Sequence, residues 1–449
     1  MQKITLIGAG LAGSLLAIFL AKRGFLVEVF EKRPDMRKVP IPAGRSINLA
    51  LSSRGIKALE KIGIAQEILE KEAIPMYGRM LHDLEGNLHF MPYSQNPREY
   101  INSVSRWGLN VRLLNLAEKF ENINIYFEHE FIDFEPSTQT ATFTIGTQKQ
   151  LLQQKVERII AADGAGSQAR QVLAKYIPFE ENIDFLEHGY KELNIPPLPN
   201  GNFAIEKNAL HIWPRGTYML IALPNLDGSF TCTLFFPNKG EFSFESIDTE
   251  HKVLDFFSTY FKDTIQLIPN LVKEFLYNPL GILGTVKCFP WNYQDKLLLL
   301  GDAAHAIVPF YGQGMNASFE DCLYLDMLIE KYANDWHTIF EKFTQDRKPN
   351  TDAIADLALE NFYEMRDHVA NPLFQKMRKV ELLLEKQYPN YYSKYAMVSF
   401  HPEIPYSEAK TRGNWQNELL AQICESITDI NEVNLSEIYA KMLQYQPKK

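Results

Sequence analysis

The first chemically suggestive residues stand near the start of the chain. Gly8-Ala9-Gly10-Leu11-Ala12-Gly13 follows the apolar run 3-KITLI-7 and opens a helical pattern from Leu15 to Lys22. A second apolar run, 26-LVEVF-30, ends on Glu31. In such a strand, turn, helix, strand unit the first glycine permits a tight turn, the second lets backbone approach a pyrophosphate, and the third lets helix and strand pack closely. The helix start offers free N–H groups to phosphate, and Glu31 has the spacing of a carboxylate that accepts ribose hydroxyls. A bound dinucleotide is the expected ligand.

Two further acids sit beside glycines after apolar runs: Asp163-Gly164 in 161-AADGAGSQAR-170, and Gly301-Asp302 in 298-LLLGDAAHAIVP-309. In a doubly wound sheet the carboxyl ends of the strands are where ligands lie. Taken singly, an Asp-Gly pair is an ordinary turn. With the glycine fingerprint, the set resembles the flavoprotein aromatic monooxygenases, which carry ADGxxSxxR and GDAAH motifs beside the nucleotide fingerprint. That resemblance implies FAD, with Asp302 on the ribityl chain, Arg106 of 103-SVSRWGLN-110 at the FAD edge, and Asp163 nearby. It also implies contacts at Leu11, Ala12, Lys32, Arg33, Ala50 and Met315.

The segments 44-GRSINLAL-51, 78-GRMLH-82, 187-EHGYKEL-193, 207-KNALHIWP-214, 312-GQGMN-316, 358-ALEN-361 and 395-YAMVSF-400 narrow the resemblance to the kynurenine 3-monooxygenase family, over nearly the whole chain. What this implies is insertion of one atom of O₂ into L-kynurenine, giving 3-hydroxykynurenine, through a flavin C4a-hydroperoxide at the expense of NADPH. By position, Arg79 is implied to bind the substrate carboxylate, Tyr93 to donate a second hydrogen bond to it, and Asn361 and Tyr395 to make further substrate contacts. An arginine fork suits a carboxylate because two parallel charge-assisted bonds fix orientation as well as affinity. Gly314, Met315 and Asn316 are expected to bring a helix N-terminus beside the flavin pyrimidine, where N–H groups stabilise negative charge. No protein nucleophile is expected, and His305 reads as a structural histidine. Ala306 stands where relatives commonly have proline, and Tyr311 where they carry His or Phe.

Two other functions stay open: a flavin hydroxylase of another aromatic carboxylate, and a non-catalytic FAD-binding regulatory or escort protein using the same fold.

The elements that must hold these residues follow from the remaining pattern. The expected fold is α/β, α+β overall, with a Rossmann-like FAD-binding domain, a mainly antiparallel substrate-domain sheet and a C-terminal helical region. The expected FAD-binding domain is discontinuous, residues 1–75, 100–182 and 285–360, and the substrate domain takes 76–99 and 183–284. In the latter, 217-TYMLIALPN-225 and 229-SFTCTLFFP-237 are aromatic and β-branched with turn punctuation. Helical patterns take over by residues 361–449.

Composition narrows the partners. The net charge of −9 arises from intermixed acids and bases with no long basic run, which argues against nucleic acid as a partner. No apolar run reaches the roughly 18 residues a membrane span needs, and MQKITLIGAG is not the pattern of a secretory leader. A cytoplasmic protein is expected. Cys232, Cys288, Cys322 and Cys424 lack close pairs, so buried thiols are expected and no metal site is suggested. The sequence leaves the oligomeric state open.

Overall fold

The computed structural model describes residues 1–39, 48–333, 335–365, 372–427 and 433–445. Residues 44–47 of the GRSINLAL segment lie outside the described residues. The expected fold class is found: a Rossmann-like sheet, a mainly antiparallel second sheet, and helices from Trp336 onward.

The central sheet runs Asn292–Tyr293, Leu297–Leu299, Ile159–Ala161, Lys3–Ile7, Leu26–Glu31, Ile123–Phe127. All neighbours are parallel except the short edge strand Asn292–Tyr293. Its inner strands are mostly apolar runs because both faces are covered, while the edge strand Ile123–Phe127 exposes Asn124 and Tyr126. Helix Leu11–Lys22, buried from Gly13 to Ala21, packs on it. Part of the remaining cover comes from an antiparallel meander, His129–Glu135, Thr140–Ile145 and Gln150–Lys155, whose Phe143 stacks on Phe30 at 4.2 Å. The helix-only cover of a doubly wound sheet is therefore incomplete here.

The chain leaves Lys3–Ile7 for Leu26–Glu31 on one side and returns to Ile159–Ala161 on the other, so a topological switch point lies at the carboxyl end of the first strand. Register places Ile7 level with both Phe30 and Ala161. The three loops that carry the glycine fingerprint, Glu31 and Asp163 therefore open at one height.

The second sheet has seven strands in the order Gly281–Phe289, Glu180–Ile195, Phe230–Pro237, Tyr218–Pro224, Leu210–Arg215, Gly78–His82, Leu88–Pro92. Strand alternation divides its side chains. Tyr218, Leu220, Phe230, Cys232, Leu234 and Phe236 join a core with helices Glu250–Tyr260 and Leu271–Tyr277. Met219, Ile221, Leu223, Thr231, Thr233 and Phe235 face a cavity instead. Gly78–His82 is parallel to Leu210–Arg215, with Arg79 opposite Leu210. On the side away from Arg79, His82 Nε2 meets His211 Nδ1 at 2.8 Å, and His211 Nε2–H donates to the Glu206 carbonyl at 2.7 Å. His82 Nδ1 and Trp213 Nε1 both face Asp263 Oδ2, at 2.9 and 2.7 Å. This chain fastens the strand that carries Arg79 to its neighbour.

The helices Trp336–Tyr363, Pro372–Gln387, Lys394–Ser399, Tyr406–Ser426 and Leu435–Met442 follow. All four cysteines are free and buried. Among the described residues no helix is long and apolar enough to cross a membrane, and no group of three or more His, Cys, Asp or Glu could hold a metal ion.

Burial lowers His211 from 6.5 to about 4, so the folded protein takes up its proton later than the unfolded chain does. The stability His211 contributes is complete above the unfolded value and is lost as pH falls from 6.5 to about 4. His211→Gln is expected to flatten the acid limb of chemical-denaturation stability by on the order of 2 kcal/mol across that window.

Candidate functional site

A cavity of about 670 Å³ runs from Glu31 at one end to Phe310 and Tyr395 at the other. Gly8, Gly10, Leu11, Ala12, Lys32, Arg33, Ala50, Arg106, Asp163, Asp302, Gly314 and Met315 line it, as do Arg79, Tyr93 and Tyr395. Gly13, Asn316 and Asn361 do not.

At the nucleotide end the three fingerprint glycines have different surroundings. A Cβ on Gly8, which has φ +98°, would lie 2.5 Å from the Ala162 carbonyl oxygen, so the first strand and the Asp163 loop need that glycine to pack. A Cβ on Gly13 would lie 1.9 Å from the Gly8 carbonyl, which makes it a helix-to-strand contact. A Cβ on Gly10 meets no protein atom within 4 Å, although Gly10 lines the cavity. Open space is left beside that backbone. Gly10 also caps helix Leu11–Lys22 without a side-chain bond, leaving the first-turn N–H groups directed at that room.

Glu31 is 5% exposed and fully engaged: its oxygens accept Ala9 N–H at 2.8 Å, Arg33 N–H at 2.9 Å and Arg33 Nε–H at 2.7 Å. Burial opposes its charge, but the Arg33 guanidinium outweighs it and holds the carboxyl below its ordinary value. Arg33's side chain is 62% exposed, so a ribose can take its place by a rotation into solvent.

Asp163 lines the cavity. Its carboxylate accepts Ser167 Oγ–H at 2.6 Å and Ala169 N–H at 3.1 Å, the latter in the first turn of helix Gln168–Leu173, which Ser167 caps. Arg170 of the same motif donates to the carbonyls of Ala165 at 2.8 Å and Ala303 at 3.0 Å, and to Glu181. It ties the AADG loop to the GDAAH turn.

Asp302 begins the short helix Asp302–His305 and makes no side-chain hydrogen bond among the described residues. Burial pushes its carboxyl up, and the positive charge of exposed Arg106 opposes this. A half-buried acceptor directed at a cavity suits the hydroxyls of a ribityl chain. His305 is turned away: its Nε2 bonds Asp321 Oδ2, and both are buried. Ala306 has φ −66°, a value proline also adopts, so alanine leaves this extended turn unchanged.

The GQGMN stretch places a left-handed Gly312, φ +66°, ahead of helix Gly314–Tyr332. Ala317 N–H is the first with a partner, Gln313 O, so the N–H groups of Gly314, Met315 and Asn316 form the free first turn. The Asn316 side chain is engaged within the protein: it donates to the carbonyls of Ala50 and Gly312, each at 2.8 Å, and accepts Ser52 N–H at 3.0 Å. It braces the loop while its backbone faces the cavity end. Gln313, which the motif sets between glycines, is buried and accepts Tyr406 Oη–H at 2.9 Å, latching the turn to the C-terminal helices.

At the other end Arg79, 8% exposed, lies beside two tyrosines, its guanidinium carbon 5.9 Å from the Tyr93 ring and 5.2 Å from the Tyr395 ring. Tyr395 is sandwiched between Tyr93 at 4.9 Å and Tyr311 at 5.6 Å, nearly parallel to both. Burial pushes the Tyr93 phenol well above its ordinary value, so it stays a donor, and its oxygen makes no hydrogen bond of normal geometry within the protein. Burial disfavours the Arg79 charge, yet Tyr93, Tyr395 and Glu364 together hold the guanidinium above its ordinary value. A fixed cation and a protonated, buried hydroxyl without a partner form a receptor for a carboxylate. Asn361 stands apart, donating to the Phe310 carbonyl at 2.6 Å and lining a second cavity behind this cluster.

A family model for an FAD binding domain matches residues 1–206 and 290–358. Kynurenine 3-monooxygenase of Myxococcus xanthus is 46% identical over 433 residues, 96% of this chain and 93% of its own. That of Legionella pneumophila strain Corby is 42% identical over 449 residues, 100% of this chain and 99% of its own. The chain belongs to the kynurenine 3-monooxygenase family. The one from Dictyostelium discoideum is 46% identical, covering 98% of this chain and 97% of its own. Among solved structures, 2-methyl-3-hydroxypyridine-5-carboxylic acid oxygenase superposes with a TM-score of 0.66 at 19% identity, over 83% of this chain and 94% of that one. PqsL of Pseudomonas aeruginosa superposes with a TM-score of 0.65 at 17% identity, over 81% and 99%. These structural likenesses carry the fold.

Family motifs pointed to Arg79 and Tyr93, but not to the apolar wall made by Tyr190, Met219, Ile221 and Phe235. Its signal was the alternation in TYMLIALP and SFTCTLFFP, which has two apolar faces and so does not say which one meets a ligand.

Because a side chain on Gly10 meets only the cavity, Gly10→Val is expected to fold with an unchanged circular-dichroism spectrum while purifying with under a tenth of the wild-type flavin absorbance. Gly13→Val is expected to lose soluble protein instead, since its side chain would meet backbone.

Proposed function

We propose that this chain is an FAD-dependent, NADPH-consuming monooxygenase of the cytoplasm that hydroxylates L-kynurenine to 3-hydroxykynurenine with O₂. The observation that carries the reading is the single cavity that joins a glycine-lined groove to the Arg79, Tyr93 and Tyr395 cluster through an apolar wall. Membership of the kynurenine 3-monooxygenase family supports the substrate.

In this reading Gly8, Gly10 and the first turn of helix Leu11–Lys22 hold the pyrophosphate, Glu31 the ribose and Asp302 the ribityl chain. Bound there, FAD would supply the redox chemistry of a hydroxylation that consumes NADPH and O₂ and releases water. The chain's own residues bind and orient. Arg79 and Tyr93 anchor the amino-acid tail, and Tyr395 packs against both. Phe235, Phe310 and Met219 surround the ring and exclude water that would divert reduced flavin to hydrogen peroxide. The free first-turn N–H groups from Gly314 would stabilise negative charge on a bound flavin ring.

The reading is tested by NADPH consumption of the purified yellow protein with and without L-kynurenine, with a mass spectrum of the product. Acceleration with gain of one oxygen atom is expected. Acceleration with only hydrogen peroxide would make kynurenine an effector, and no response would remove the reading.

Arg79→Lys keeps the charge but loses the fork. It is expected to raise KM for L-kynurenine by roughly 10- to 100-fold with flavin content intact. An unchanged KM would remove Arg79 from substrate binding.

A further inference from the structure

The second cavity, about 390 Å³, shares Arg79, Tyr93, Tyr311 and Tyr395 with the first. The aromatic cluster is therefore a partition with Arg79 accessible from both sides. Behind it the end of helix Trp336–Tyr363 brings Glu360 and Glu364 to the cavity wall. Most of its other charges are committed. Glu381 pairs with Arg378 at 3.1 Å, Arg378 also donates to the carbonyls of Pro92 and Tyr93, and Lys394 lies 3.5 Å from Glu360. Glu364 has a different place: its Oε1 lies 3.9 Å from Arg79 Nη1, and among the described residues Arg79 is its ion-pair partner.

This arrangement constrains what can bind. A ligand carboxylate that takes the Arg79 fork comes near the carboxylate of Glu364, with both side chains largely withdrawn from water, at 10% and 24% exposure. A plain aromatic acid brings two like charges together there, which is costly where solvent screening is weak. An α-amino acid carries its own cation next to its carboxylate. Its ammonium can meet Glu364 while its carboxylate meets Arg79, each through charge-assisted bonds of about 2.8 Å. Arg79, carboxylate, ammonium and Glu364 then alternate in sign around a closed ring, and the original contact between Arg79 and Glu364 need not be broken.

We infer that Glu364 receives the α-ammonium group of the substrate, so that the Arg79–Glu364 pair selects a zwitterionic amino acid over a simple aromatic carboxylate. The inference rests on the proposed function, which supplies an α-amino acid as the substrate. Repulsion from the wrong ligand matters to this selectivity as much as attraction to the right one.

The test compares kcat/KM for L-kynurenine and for its des-amino analogue, 4-(2-aminophenyl)-4-oxobutanoate, in wild-type and Glu364→Gln holoenzymes. The wild type is expected to prefer L-kynurenine by about 30-fold or more. In Glu364→Gln that preference is expected to collapse to within a few-fold, because the amino acid loses its partner and the analogue loses a repelling charge. Equal losses on both substrates, or an unchanged preference, would overturn the inference and leave Glu364 a structural residue. Flavin content and thermal midpoint check that the variant is folded. Should the glutamine variant fail to fold, Glu364→Asp is expected to give an intermediate preference, and an unaltered ratio there also overturns the inference. Failure of the substrate reading is seen separately, as a wild-type enzyme that does not hydroxylate L-kynurenine.

Discussion

Asp321 is the buried contact around which the cofactor end of the site is assembled. It is 0% exposed, and its two oxygens accept Gly301 N–H at 3.1 Å, His305 Nε2 and Arg347 Nε–H at 2.7 Å. One carboxylate thus joins the GDAAH turn to helix Gly314–Tyr332, on which it sits, and to helix Trp336–Tyr363. Removing such a charge from water costs several kcal/mol, recovered only when partners fill its lone pairs, as here. Burial disfavours its charge, but His305 and Arg347 outweigh that and hold the carboxyl below its ordinary value. Asp302 and the free first turn from Gly314 consequently keep a fixed relation to each other.

The network extends outward to the C-terminal helices. Arg347 bonds Glu320 at 2.6 Å, and Glu320 bonds Arg54 at 2.5 Å. Arg54, 1% exposed, lies over the Tyr406 ring at 3.8 Å and donates to the carbonyls of Val398 and Ile404, at 2.9 and 2.5 Å. Tyr406 in turn bonds Gln313 of the GQGMN turn. The helices that carry Tyr395 are therefore connected to the turn at the flavin end through fully paired polar groups, not through apolar packing alone. This couples the two ends of the cavity mechanically: the element that contacts the amino-acid tail is fastened to the element expected beside the flavin.

The second sheet completes the cavity by a simpler device. Its strands have period two, so alternate residues of Tyr218–Pro224 and Phe230–Pro237 serve a helix-backed core and the cavity wall. The outer core holds the sheet rigid, and the inner face gives a dry surround in which charge on Arg79 and its partners is weakly screened.

By itself the sequence determined the local chemistry. The fingerprint from Gly8 to Gly13, the apolar runs behind it and the AADG and GDAAH turns state their structure because glycine spacing and strand length are local properties. The motif segments also marked Arg79, Tyr93 and Tyr395 together, which the fold brings within one cluster. What only tertiary structure decided was how the polar atoms are spent. Asp163 and Asp302 look alike in sequence and both line the cavity, yet the Asp163 carboxylate is engaged by Ser167 and Ala169 of its own loop, whereas that of Asp302 makes no side-chain hydrogen bond among the described residues. The side-chain amides of Asn316 and Asn361 likewise donate to backbone carbonyls of distant segments, those of Ala50 and Phe310. Glu364 gave no local sign at all, since its pairing with Arg79 joins residues 285 positions apart and exists only once helix and sheet have packed.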